Sequence, residues 1–193
     1  MQSSARRQAL RAGTDDLHRL LDDQLGDLTQ PRDYHRYLAG TWAFRAALEP
    51  ALTAALTDAG QSWRLLPLAE ALQADLRDLD QPLPALPPVP DLTHPATQTG
   101  ALYVLEGSAL GARLVAARAA DLGFDATFAA RHLARQTEDK TRFRSFLTWL
   151  DTAAFDAEAS AEGARGVFRM AIRAHGLTPT DAFAAQNGAS AGG

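Results

Sequence analysis

The sequence predicts an all-α fold, a single-domain bundle of several helices. Three observations carry that expectation. Ala and Leu dominate while β-branched and aromatic residues are few, a bias that favours helix over sheet. Apolar residues recur at helical spacing through long segments. Gly or Pro punctuates most of the junctions between those segments. At 193 residues the chain is long enough for one sizeable core and too short for two comfortable ones.

Taken in order, residues 4–25 read as the first helix. At about 100° per residue, Leu10, Thr14, Leu17, Leu21 and Leu25 fall on one stripe. Gly26 and the Thr29-Gln30-Pro31 step end it. A long second helix is expected over 31–58, with Tyr34, Leu38, Trp42 and Leu48 among its buried residues, and a shorter third over 66–79. Residues 81–95 hold six of the ten prolines. Proline fixes φ and lacks a donor, so this stretch reads as an extended strap lying on the domain, with Leu83, Leu86 and Val89 as its apolar points. A helix over 96–121 is closed by Gly123. Two more follow, over 125–148 with a break near 137–140 and over 156–174, the last ended by Gly176 and Pro179. The domain is placed at 1–180. Residues 181–193, ending AQNGASAGG, carry too little apolar surface to order themselves.

A formal charge of −4 argues against a general nucleic-acid binder, which needs an excess of Lys and Arg. The absence of cysteine excludes disulfides, thiolate metal sites and cysteine nucleophiles. Residues 1–11 have charge but no apolar core, so no secretory signal is expected. No apolar run reaches the roughly 20 residues of a membrane span. A soluble cytoplasmic protein is the expectation.

Two constellations stand out. Of the five histidines, only His18 borders a clear apolar stripe on a helix. An imidazole there can enter a hydrophobic slot, as a heme iron ligand must, or it can simply hydrogen-bond within the core. Arg11, seven residues earlier, projects from nearly the same face about 10 Å along the axis, within reach of a carboxylate at a ring edge. The second constellation is the stretch from Thr99 to Ala112. Glycine costs a helix interior about 1 kcal/mol against alanine, so Gly100, Gly107 and Gly111 want a reason. They fall within about 40° of one another, which strips one side of the helix of side chains. Either a second helix packs closely there, or a flat cofactor lies on the bare backbone.

Together the two segments resemble a family. LRAGTDDLH (Leu10–His18) is similar to the proximal-helix signature of heme oxygenases, and LYVLEGSALGARL (Leu102–Leu114) to the distal helix of their bacterial branch, including members associated with bacteriophytochromes. The resemblance implies a multi-helix bundle of the heme-oxygenase type. It makes His18 the iron ligand and places Gly107 and Gly111 on the ring. Tyr103 and Val104 become further pocket residues, and Arg11, with one or more of Lys140, Arg142 and Arg144, pairs the propionates. Arginine suits that task because its planar fork matches a carboxylate. The implied reaction is oxidative cleavage of heme, at once cofactor and substrate, to biliverdin, carbon monoxide and iron. It uses O2 and electrons from an external ferredoxin- or flavoprotein-type reductase, with a bacteriophytochrome as one acceptor of the product.

The sequence departs from the family at one telling position. Many members carry Asp directly after the first distal glycine, where it organises proton-delivering waters. Here Ser108 stands there, and Ala112 replaces a further glycine after Gly111. The bacteriophytochrome-associated branch is similar at this point, so Ser108 joins Gly107 and Gly111 as a candidate catalytic position with an altered proton path. Three rivals remain: a non-catalytic heme carrier or sensor of the same fold, a helical interaction module, and a carboxylate-bridged di-iron bundle. The last is weak, because its second D-x-x-H match, Asp91/His94, lies in the proline strap and Glu49, Glu70 and Glu106 show no shared pattern.

Overall fold

A computed structural model describes residues 5–60, 62–153 and 155–176, which form nine helices and no strand. These are α1 (Ala5–Ala12), α2 (Asp15–Leu25), α3 (Pro31–Asp58), α4 (Ala69–Asp78), α5 (Pro95–Gly107), α6 (Ala109–Asp121), α7 (Arg131–Glu138), α8 (Arg142–Thr152) and α9 (Ala157–Ala174). The expected tail at 181–193 and the boundary at 180 lie outside the described residues.

Two apolar clusters share the long helix α3. Its second half, from Phe44 to Leu56, packs with α1, α2, α5, α8 and α9. Its first half, from Tyr34 to Ala43, packs with α4, α6 and α7. Tyr34, Leu38, Trp42 and Leu48 are all buried, as their spacing predicts. The helix expected over 96–121 therefore changes partners midway. Leu102, Val104 and Leu105 of α5 belong to the first cluster, whereas Ala112 and Ala119 of α6 belong to the second. The break between them, at Ser108, is where the chain crosses from one core to the other.

The helix expected over 4–25 is also two helices. At Gly13 the chain runs against α9, where a Cβ would stand 2.8 Å from the Ala161 methyl. Arg165 donates to the Gly13 carbonyl at 2.8 Å and grips Asp16 with two bonds of 2.6 and 2.9 Å. The Thr14 hydroxyl turns back to the Leu10 carbonyl at 2.8 Å. A backbone group taken by a side chain from another element is a tertiary event, and periodicity within α1–α2 carries no sign of it.

The strap corrects the sequence reading in an instructive way. From 81 to 90 burial repeats with a period of three. Gln81, Pro84, Pro87 and Pro90 are half-buried, and the pairs between them are exposed. That is the threefold repeat of a polyproline-type chain, in which one edge faces the body. The prolines take that edge, Pro90 lying over Gly166 of α9. Leu83, Leu86 and Val89 share another edge and stand in solvent, while Leu92 is buried.

Buried polar groups fix the second cluster. Asp75 and Asp78 of α4 cap the start of α7, accepting from the backbone of Arg131 and His132 at 3.0 Å and of Ala129 at 2.8 Å. Asp75 also accepts from His132 Nδ1 at 2.7 Å, and the Tyr37 hydroxyl reaches Nε2 at 3.4 Å. Burial holds His132 below the ordinary histidine value despite Asp75. Burial pushes Asp75 upward, but His132 and the two backbone donors outweigh it and hold the carboxyl below its usual range. The pair is therefore a neutral imidazole donating to a carboxylate.

Candidate functional site

His18 stands on α2 with its side chain 58 % exposed, not enclosed among the leucines as the stripe suggests. Its ring meets the edge of Phe168 on α9 at 5.8 Å between centroids. Its Nδ1 is 2.9 Å from the carboxylate of Asp22, one turn later. A histidine whose Nδ1–H is held by a carboxylate has its ring oriented and its Nε2 lone pair free to serve a metal, the usual outer-shell arrangement of ligating imidazoles. Asp22 was not singled out from the sequence. The signal was present, since i and i+4 share a helix face.

Tyr103 of α5 comes across from the other side. Burial raises its phenol above the ordinary value, an effect that the Arg11 guanidinium and a hydrogen bond with Thr14 partly offset. Tyr103 is half-buried and packs on the first apolar cluster, to which Leu10 of α1 and Leu17 of α2 belong. Val104, beside Tyr103, is buried in the first cluster and does not line open ground.

The three glycines of one sequence face divide. At Gly100 an added Cβ would collide with the backbone of α9, at Ala164 N and Ser160 O, and α9 answers with Gly163, where a Cβ would lie 2.7 Å from Thr97 Cα. This is close helix packing. At Gly107 and Gly111 nothing lies within 4 Å of a built Cβ. Beside them Leu110 and Leu114 are 65 % and 64 % exposed. The backbone at the two glycines is open and edged by apolar side chains, a cradle that an added methyl would enter.

Ser108 is exposed, but its hydroxyl is engaged by other elements. Its hydroxyl donates to the Leu105 carbonyl at 2.6 Å and accepts from Arg45 at 3.0 Å and Gln136 at 2.9 Å. Arg45 is itself paired with Glu49 at 2.8 Å, and Glu49 caps the start of α4 by accepting from Leu68 and Ala69. Sequence reasoning missed Arg45, Glu49 and Gln136. An i,i+4 ion pair on the apolar helix α3 was the available clue.

The later basic cluster divides as well. Arg142 is not free to meet a carboxylate from outside. It donates to Glu106 at 2.9 and 2.6 Å and to the Arg64 carbonyl at 2.7 Å, and lies 5.1 Å over the Trp63 ring. A buried glutamate on α5 needs a partner, and Arg142 at the start of α8 is the cation beside it. Arg144 and Lys140 are exposed. Among the described residues no group of three or more His, Cys, Asp or Glu side chains could hold a metal ion, so the di-iron alternative has no ligand set there. No described helix is long and apolar enough to cross a membrane.

No family model matches the chain. It is 33 % identical over 144 residues to a heme oxygenase of Xanthomonas campestris pv. campestris, covering 75 % of this chain and 83 % of that protein. It is 32 % identical over 139 residues to the heme oxygenase PigA of Pseudomonas aeruginosa, covering 69 % and 70 %. Its fold is similar to that of the heme oxygenase from Neisseria meningitidis solved with NO and CO bound, with a TM-score of 0.69 and 24 % identity over 88 % of this chain and 92 % of that one. With a third of the aligned residues identical over most of its length, and with the fold held in common, the chain belongs to the heme oxygenase family.

Proposed function

We propose that this protein is a heme oxygenase that binds heme as cofactor and substrate and opens the ring with O2 and external electrons, giving biliverdin, carbon monoxide and iron. The observation that carries the reading is that a chain of this family has both an outward histidine held by a carboxylate and a stretch of bare glycine backbone.

When bound, heme supplies the iron that takes up O2 and the meso carbon that is oxidised. The residues of the chain do the rest. His18 would hold the iron through Nε2, with Asp22 orienting the ring through Nδ1. Gly107 and Gly111 let backbone approach the ring where any side chain would intrude. Arg11 and Tyr103 are the residues proposed for the propionate edge, with the exposed Arg144 and Lys140 as further cations. Arg142 is withdrawn from that role, because Glu106 holds it. Ser108 is likewise withdrawn from direct contact with oxygen, since its hydroxyl is taken up by Arg45, Gln136 and the Leu105 carbonyl. A ferredoxin- or flavoprotein-type reductase as electron donor, a bacteriophytochrome as one acceptor of biliverdin, and a cytoplasmic setting complete the proposal.

Hemin titration is the first test. One heme per chain with a sharp Soret band, lost in His18→Ala, is expected, and absence of binding overturns the proposal. Supplying electrons and O2 to the complex is the second. Decay of the Soret band into broad red biliverdin absorption is expected, whereas a stable oxy complex under those conditions identifies a carrier.

A further inference from the structure

Gly107 is held from both sides by buried charge. Its preceding neighbour, Glu106, is buried and gripped by Arg142 through two bonds, with the Trp63 indole donating to it at 2.9 Å. Its following neighbour, Ser108, is gripped by Arg45 and Gln136. Arg45 also reaches the Leu105 carbonyl at 3.5 Å, one of the acceptors released where α5 ends and α6 begins. Arg45 and Glu49 are each only 5 % exposed. The two arginines flank a single cavity of about 10 Å³, room for roughly one water, so the two grips form one unit behind the break. The anchoring residues come from α3, α7, α8 and the segment before α4, so the break is pinned to four separate parts of the molecule.

From this we infer that Arg45 and Arg142 are positioning residues. By fixing Ser108 and Glu106 they set the height and tilt of the Gly107–Gly111 backbone over the ring, and hence which meso carbon is presented and how fast it reacts. Neither arginine touches the ligand; each acts through a residue adjoining Gly107. The energetic logic favours rigidity. A buried charge that loses its partner is strongly disfavoured, so each ion pair allows the break one arrangement. A helix interrupted only by glycine would have many.

The inference rests on the oxygenase reading and is tested on the full chain with heme bound. The variants are Arg142→Lys, Arg142→Met, Ser108→Ala and the double variant Arg45→Met/Glu49→Gln, which leaves no lone buried carboxylate. The expected result has three parts. Heme still binds one to one with the Soret band of the parent. Turnover in Arg142→Met and in the double variant falls by as much as about a hundredfold while KM for heme changes little, the scale of ångström misplacement. Biliverdin emerges as a mixture of meso isomers, and Arg142→Lys restores much of the parental product. Ser108→Ala removes one hydroxyl from the grip and keeps the fold, so it reports the isomer shift even if the buried-charge variants fail to fold. Parental turnover and a parental isomer pattern in the heme-loaded variants overturn the inference, as does lowered thermal stability as their only change. Failure of the parent protein to bind or cleave heme would instead overturn the oxygenase reading, so the two failures are distinct.

Discussion

Gly100 and Gly107 lie two helical turns apart on one sequence face, yet the structure puts them to opposite uses. Gly100 is closed against Gly163 and the backbone of α9, while Gly107, with Gly111, opens onto empty space. Two histidines repeat the contrast. His132 is fully buried between Asp75 and Tyr37, whereas His18 is exposed and oriented by Asp22. In each pair the residue type is the same and the environment decides whether it is closed into the core or left open at the surface. The filled position holds two helices together, and the open ones leave room that the proposed function assigns to heme.

The strongest way to break the contrast is Gly100→Ala. The new methyl meets backbone, which cannot rotate away, so α5 and α9 must separate. A loss of about 2–3 kcal/mol in urea unfolding is expected. A neutral result would mean that the helices yield and that the two glycine sites are alike.

Acidification probes the buried histidine. His132 sits below the ordinary value of about 6.5, so between its folded and unfolded values the unfolded chain binds more protons and stability falls as pH falls. The slope for this group is about 1.4 kcal/mol per pH unit below 6.5, levelling off under its folded value. His175, also lowered by burial, adds in the same direction. Urea midpoints that stay flat across that range would show His132 to be charged in the fold.

Gly107→Ala sharpens the open side. Alanine is the better helix former by about 1 kcal/mol and meets no neighbour, so unfolding should show unchanged or greater stability. Heme affinity and turnover should nevertheless fall, because the methyl enters the cradle. Lost stability would place Gly107 with Gly100. The smallest effect on stability belongs to His18→Ala, within about 0.5 kcal/mol for so exposed a side chain, while the Soret band of the bound complex disappears.

Much of the fold was legible before any tertiary contact was known. The helix expected over 31–58 forms as α3 over those residues, and the interruption expected near 137–140 separates α7 from α8. These features rest on periodicity and on Gly or Pro stops, which are local. The breaks at Gly13–Thr14 and at Ser108 were not read as helix ends. The first depends on Arg165, some 150 positions along the chain, and the second on Arg45 and Gln136. The strap was read as extended, as it is, but which edge lies against the body was not read. A threefold repeat says which residues share an edge, and only the body beneath decides which edge it takes.

The site divides along the same line. The sequence by itself determined the all-helical class, the histidine on α2 and the glycine-rich helix, because each is a pattern within one segment of chain. Tertiary structure decided which glycines stay bare, that Arg142 belongs to Glu106, and that the Ser108 hydroxyl bonds Arg45 and Gln136. The physical reason is the range of the forces involved. Helix propensity and periodicity act over a few residues, whereas exclusion between backbones and the pairing of buried charge depend on elements far apart in sequence that the core brings together.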